Sequence, residues 1–224
     1  MQSKVALISA SSAGLGASTA RVFAAAGYRV VINYHSNAEK AQALVKEIQQ
    51  HDDESRRAIA IKADMSRRSG ISHLVSEAVN AMGRLDVVVS NQGWTRMRKF
   101  DDLDDNLEED DWDTCFNVNV KSHLYFFHAA RPHLVAAGGG SFITVASIAG
   151  VVPSGSSLAY SVTKAAQIHL MRALAKIAGP NNIRVNSVSP GIMLTDVAQQ
   201  ILLLGTSKSI TGCNAVVDCG WSML

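Results

Sequence analysis

The chain has 224 residues, 47% of them hydrophobic and 18% charged, with a formal net charge of +2. That length suits one sizeable core, and the near-neutral charge argues against nucleic acid, since the pairs Arg56-Arg57 and Arg67-Arg68 are too short for a basic groove and read as solvated surface. No apolar run approaches a membrane span, residues 1–10 (MQSKVALISA) lack a signal-peptide layout, and Cys115, Cys213 and Cys219 have no zinc spacing, so reduced thiols in a cytoplasmic setting are expected.

Strand-like and helix-like segments then alternate in chain order. KVALIS (4–9) is a short apolar run ending in a glycine-bearing turn. SAGLGASTARVFAAAG (12–27) has helical periodicity and Gly27 as its stop. YRVVINY (28–34) is rich in β-formers, and Ser36-Asn37 opens a helix through residue 50. HDDESRR (51–57) reads as a charged surface loop. AIAIKAD (58–64) and RLDVVVSN (84–91) are further strands, with a helix at 71–82 between them. The acidic run 101–111 (DDLDDNLEEDD) reads as a solvated loop leading into a long helix, 111–137, whose N-terminus favours acids. His123, His128 and His133 are spaced by five along it. Metal-binding helices use i, i+4, so these read as ordinary helix residues, and no metal is expected. A strand at 138–147, a helix at 157–178, a strand at 182–190 and a closing helix (198–205) and strand (214–220) complete the pattern.

These strands are Val- and Ile-rich without alternation, as strands buried on both faces are. The fold class predicted is α/β: a single doubly wound domain over residues 1–224, with a parallel sheet of about seven strands between helices. Residues 1–110 form the half expected to hold a cofactor, and 111–224 the half expected to hold the chemistry.

The segment AYSVTK (159–164) places Tyr160 and Lys164 four apart, on one helix face if the segment is helical. Chance produces such a pair often, so its meaning depends on what surrounds it. The turn Ser9-Ala10-Ser11-Ser12-Ala13-Gly14-Leu15-Gly16 lies between a strand and a helix, where glycines let backbone approach a pyrophosphate at a helix N-terminus. It carries no Gly-Lys-Ser/Thr, so it is not a phosphate loop of the Walker type.

In this ordered set the chain resembles a short-chain dehydrogenase/reductase, of the group that includes 3-oxoacyl carrier-protein reductases. The family's Thr-Gly-x-x-x-Gly-x-Gly appears as Ser9-Ala10 with Gly14 and Gly16. Its Asn-Ala-Gly appears as Asn91-Gln92-Gly93, and its helix Asn as Asn119. Its Ser is Ser147, its Tyr-x-x-x-Lys is Tyr160 and Lys164, and its Pro-Gly is Pro190-Gly191. The resemblance covers nearly the whole chain. It implies catalytic residues Asn119, Ser147, Tyr160 and Lys164. It further implies a nicotinamide cofactor held by Ser9, Ser11, Ser12, Gly14, Leu15, Gly16, Tyr34, His35, Ser36, Asp64, Met65, Asn91, Gly93, Tyr160, Lys164, Pro190, Gly191, Ile192 and Thr195.

Reducing a carbonyl needs a hydride on carbon and a proton on oxygen. A free tyrosine, with a pKa near 10, exchanges its proton too slowly at neutral pH. Lowering it by about three units takes roughly 4 kcal/mol, within reach of a nearby ammonium and an oxidised nicotinamide. Tyr160 is therefore expected as general acid in reduction and base in oxidation, with Lys164 acidifying it. Ser147 would hydrogen-bond the substrate oxygen, and Asn119 would hold a water beside the lysine. Ser147 simply ending a strand, and Asn119 filling a helix kink with Asn117 in its place, remain open.

Ala10 stands where the family has Gly, and a positive φ there would cost about 1 kcal/mol or more; at negative φ the change is cheap. No acid follows Tyr34 before Glu39, whereas NAD readers place a carboxylate at the end of the second strand. NADP(H) is therefore favoured over NAD(H), although the arginine common in NADP users is replaced by Ala13. Asp64 resembles an adenine contact and is equally readable as a helix cap. Trp94, Val151, Val152 and Pro153 are candidates for the substrate wall or for plain packing.

Beyond Thr195 the family inserts a mobile flap, and here VAQQILLLG follows almost at once. A clipped lid and a stretch missing from the sequence both stay open. The expected function is NADP(H)-dependent reduction of a small carbonyl or oxidation of an alcohol, in a homotetramer or dimer. The alternative is a nucleotide-binding relative without turnover, acting as scaffold or sensor.

Overall fold

Seven apolar runs become seven strands in the computed structural model, which describes residues 3–50, 57–191 and 196–223. They are β1 (Val5–Ile8), β2 (Arg29–Tyr34), β3 (Ala58–Lys62), β4 (Val87–Ser90), β5 (Gly140–Val145), β6 (Ile183–Pro190) and β7 (Asn214–Val217). All neighbours pair in parallel, in the order β3-β2-β1-β4-β5-β6-β7. The helices are α1 (Gly14–Ala25), α2 (Ala38–Gln49), α3 (Arg68–Met82), α4 (Glu109–Phe116), α5 (Ser122–Ala136), α6 (Leu158–Ala178) and α7 (Val197–Thr206).

A parallel sheet needs cover on both faces because every strand alternates its side chains between two apolar layers. On one face Leu7, Val88, Phe142 and Val185 meet α3, α5 and α6 through Leu74, Phe126 and Met171. On the other, Ile8, Val89, Ile143 and Val188 meet α1, α2 and α7 through Phe23, Leu44 and Ile201. The strand order reverses between β1 and β4. The turns leaving their C-terminal ends diverge there and open a crevice, the place where sheets of this kind hold ligands.

The predicted helix 111–137 is two helices joined by a π-helical turn, Asn117–Lys121, with Pro132 inside α5. One extra residue per turn re-aims the side chains it carries, and Asn119 is one of them. The acidic run is not simply solvated either. It contains a short 3-10 turn, Asp104–Asn106, and Asp111 is buried, within 2.8 Å of Arg98 and 3.0 Å of Arg96. His123 also departs from an ordinary helix residue: it is fully buried, with Nδ1 2.7 Å from Ser90 Oγ.

Candidate active site

The turn after β1 is held by side chains that bond its backbone. Ala10 adopts φ 47°, the costly alternative for an L-residue. Its N–H donates to Asn33 Oδ1 at 2.9 Å, and its carbonyl accepts from Asn91 Nδ2 at 3.0 Å. These two bonds hold the conformation that glycine would adopt without strain. Gly16 has no room for a side chain, since a Cβ there would lie 2.5 Å from Ala10 O. Gly14 turns at φ 54° into α1, whose N-cap, Ala13, makes no side-chain bond. The first amides of α1 have no intrahelical partner and face outward.

Of the three serines in this turn, two are committed inward. Ser9 Oγ bonds Gln92 Oε1 at 2.5 Å and accepts from Asn91 N at 2.8 Å. Ser11 Oγ donates to Ile8 O at 2.7 Å and accepts from Asn33 N at 3.0 Å. In this structure the Ser11 proton is thus spent on Ile8 O. Ser12 lines the adjoining cavity. Leu15 turns the other way and packs on the α1-side core.

That cavity has a volume of about 550 Å³ and is walled by Tyr34, His35, Ser36, Asp64, Met65, Gly93 and Trp94. The wall beyond β2 carries no carboxylate before Glu39. Asp64 both lines the cavity and closes its own turn, accepting from Ser66 N at 2.9 Å and Ser66 Oγ at 2.7 Å. Burial pushes its carboxyl up, but the Ser66 bonds and the charges of His35 and Arg67 outweigh it and hold it below the ordinary range. Arg67, 3.4 Å from that carboxylate, brings a guanidinium close to the cavity wall.

At the other end of the crevice, Ser147 follows β5 and begins a short 3-10 turn, Ile148–Gly150, accepting from Ala149 N at 3.2 Å. Its hydroxyl lies near enough to the Tyr160 phenol to lower the phenol's pKa. Gly150 lets this turn lie against α6, where a Cβ would meet the Lys164 backbone at 2.5 Å. Tyr160 and Lys164 share one face of α6, with Nζ 5.5 Å from the ring centroid. Asn119 is buried across from them. It exchanges bonds with the Trp94 backbone (Oδ1 accepting at 2.8 Å, Nδ2 donating at 2.9 Å) and donates to Thr163 Oγ1 at 3.1 Å. Asn117, the other candidate, points away and donates to Ser66 O. Gly93 adjoins both groups: a Cβ there would sit 3.5 Å from Lys164 Nζ and 3.6 Å from Asn119 Oδ1.

The electrostatics of the isolated chain run against the expectation that Lys164 acidifies the phenol. Burial pushes Tyr160 above its ordinary value, and the Ser147 hydroxyl only partly offsets this. Burial also lowers Lys164, to about 7. Desolvation disfavours phenolate and ammonium alike, and Nζ bonds Val145 O and Gln167 Oε1, both at 3.0 Å, instead of the phenol.

Pro190 ends β6, and Gly191 donates to Val217 O at 2.9 Å with no space for a Cβ beside Asp218. Ile192 and Thr195 lie outside the described residues. Val152 sits half-buried in the turn after Ser147. Three residues that sequence reasoning passed over also belong here. Gln92 links Ser9 to Ser122, with Nε2 2.8 Å from Ser122 Oγ; its signal was the departure from Asn-Ala-Gly. Gln167 grips Lys164. Asn106 accepts from Leu158 N at 2.9 Å at the head of α6 and donates to Lys99 O and Asp102 O, both at 2.8 Å.

A family model described as short chain dehydrogenase matches residues 4–203. The chain is 37% identical over 198 residues to granaticin polyketide synthase putative ketoacyl reductase 2 of Streptomyces violaceoruber, covering 88% of this chain and 76% of that protein. It is 32% identical to 3-oxoacyl-[acyl-carrier-protein] reductase of Staphylococcus aureus, covering 88% and 78%. A 3-ketoacyl-ACP reductase structure from Sinorhizobium meliloti superposes with a TM-score of 0.89 at 28% identity, covering 98% of this chain and 99% of that one.

Proposed function

We propose a function from one premise: this chain belongs to the short-chain dehydrogenase family and is similar to its 3-oxoacyl carrier-protein reductases. It acts as a reductase of small carbonyl compounds, taking NADP(H) in preference to NAD(H). The observation that carries this reading is the convergence of the Ser147 hydroxyl, the Tyr160 phenol and the Lys164 amine at the C-terminal ends of β4 and β5.

The crevice fits a dinucleotide. The uncapped start of α1 and the Ser12 hydroxyl receive the pyrophosphate, and the cavity walled by Tyr34, His35, Ser36, Asp64 and Met65 receives the adenosine. A ribose 2′-phosphate would meet no carboxylate at the end of β2, and the Asp64 carboxylate on the cavity wall is paired with Arg67 at 3.4 Å. Bound there, the nicotinamide supplies or accepts the hydride and, when oxidised, a positive charge.

The chain's own groups handle the proton. Ser147 donates to the substrate oxygen and stabilises charge developing on it. Tyr160 gives up its phenolic proton to that oxygen. The upward push on the phenol keeps it protonated across neutral pH, the form that reduction consumes. In its protonated form Lys164, 5.5 Å from the ring, stabilises the phenolate that results, and Asn119, with both amide ends anchored, fixes the wall of Trp94 beside it. Residues 1–110 thus serve the cofactor and 111–224 the chemistry. Among the described residues no helix is long and apolar enough to cross a membrane. A cytoplasmic homo-oligomer, tetramer or dimer, fits the family.

The test is direct. The purified protein is mixed with NADPH or NADH and a panel of ketones, and reduced-nicotinamide absorbance is followed. Ketone-dependent consumption, faster with NADPH, is expected, with kcat lowered about 10³-fold by Tyr160→Phe. NADPH binding without consumption of any ketone would instead support a scaffold or sensor.

A further inference from the structure

Gln167 lies three residues after Lys164, on the same face of α6. Both side chains are buried, Gln167 at 0% and Lys164 at 3% exposure. Gln167 Nε2 donates to Val145 O at 3.0 Å, and its Oε1 accepts from Lys164 Nζ at 3.0 Å. Lys164 Nζ donates to the same Val145 carbonyl at 3.0 Å. The three groups close a triangle. A carbonyl only accepts, so the amide nitrogen must face Val145, which commits Oε1 to the amine. Val145 ends β5, two residues before Ser147, so the triangle ties the lysine of α6 to the strand that presents the serine.

We propose that Gln167 is a positioning residue that holds Lys164 in the cleft and sets how firmly the amine keeps its proton. An ammonium has three hydrogens. Two are committed to Val145 O and Gln167 Oε1, and among the described residues the third has no protein partner. The titratable groups facing the amine are Cys115 from α4, His123 from α5 and Tyr160 from α6. None of them is a carboxylate, and burial holds His123 neutral. Beside the Cys115 sulfur, the two neutral acceptors are what favours the charged form of a desolvated amine.

The consequence for turnover rests on the reductase reading, because Lys164 matters there through Tyr160; the consequence for the amine itself does not. The experiment titrates Lys164 by NMR in lysine-labelled protein without cofactor, its signal assigned by loss in Lys164→Met, with circular dichroism confirming the fold. Gln167→Met removes the acceptor, and the titration midpoint is expected to fall by about one pH unit. Gln167→Glu puts a carboxylate in its place, and the midpoint is expected to rise by about one unit or more. The high-pH limb of ketone reduction should move with the midpoint in each variant. A midpoint unchanged in the folded variants overturns the proposal, whereas a merely structural role for Gln167 would alter thermal stability alone. Shifted midpoints in a protein that reduces no ketone would leave the Gln167 tether standing and remove the reductase reading.

Discussion

The turn after β1 and the cluster on α6 face each other across one crevice, and their buried polar groups differ in kind. At the end proposed for the cofactor, neutral amide and hydroxyl side chains hold main chain: Asn91 and Asn33 grip the Ala10 carbonyl and N–H, and Ser9 and Ser11 spend their hydroxyls inward. At the end proposed for the chemistry, the buried polar side chains include titratable ones, with Lys164, like Gln167 and Asn119, within 3% of full burial and His123 at 0%. Amides and hydroxyls carry no charge to lose, so the first end is insensitive to pH. A desolvated amine or imidazole is sensitive to it, because its charged form has lost water.

The largest test of that contrast is the pH dependence of stability. Lys164 falls from an ordinary 10.5 to about 7 in the fold. Its folded value is depressed, so the stability it contributes is fully present above about 10.5 and is lost as pH falls towards 7. His123 is also depressed by burial, far below 6.5. Its contribution is present above about 6.5 and is lost as pH falls further. Urea unfolding at a series of pH values should therefore show stability climbing by several kcal/mol from acid to about pH 10. Lys164→Met should flatten the climb above pH 7, and His123→Leu the climb below 6.5. Slopes unchanged in both variants would mean that burial at the chemical end is not what the protein's pH response reports.

A smaller effect separates the ends by location. Asn106→Ala removes the acceptor for Leu158 N and two loop bonds, while Ser157 still caps α6 by accepting from Tyr160 N at 3.1 Å. A loss of about 2 kcal/mol in urea unfolding is expected. A severalfold lower kcat should accompany it, because α6 carries Tyr160, with the NADPH dissociation constant unmoved. Weaker NADPH binding at unchanged kcat would contradict the division of labour.

The smallest effect is at the turn itself. Ala10→Gly relieves a left-handed alanine worth about 1–2 kcal/mol but adds unfolded-state freedom worth about 0.5–1. The net expectation is a gain of roughly 0.5 kcal/mol with NADPH affinity retained. A loss of stability would show that the Ala10 methyl contributes packing that outweighs the strain.

Much of this architecture could be read from the chain alone, for a reason specific to each part. KVALIS, YRVVINY and NIRVNSVSP announce buried strands because a run of apolar residues has few other uses at that length. Ser147, Tyr160 and Lys164 stand out by residue type and spacing, which a strand end and a helix turn convert directly into position. The break at Asn117–Lys121 was legible only as the alternative of a helix kink at Asn119, since its π form shows in what Asn119 reaches, Trp94 and Thr163, which lie far along the chain. His123 looked ordinary because nothing in its helix reveals that Ser90 lies beneath it.

Local sequence thus determined the strand–helix alternation and the identity of the groups gathered at Tyr160, because hydrophobic period and motif spacing act over a few residues. Only the tertiary structure decided the sign of their acidity. It brought Val145 and Gln167 to Lys164, Asn106 across 52 positions to Leu158, and enough protein around the phenol to exclude water. Desolvation depends on everything that surrounds a group, and no short stretch of chain contains that.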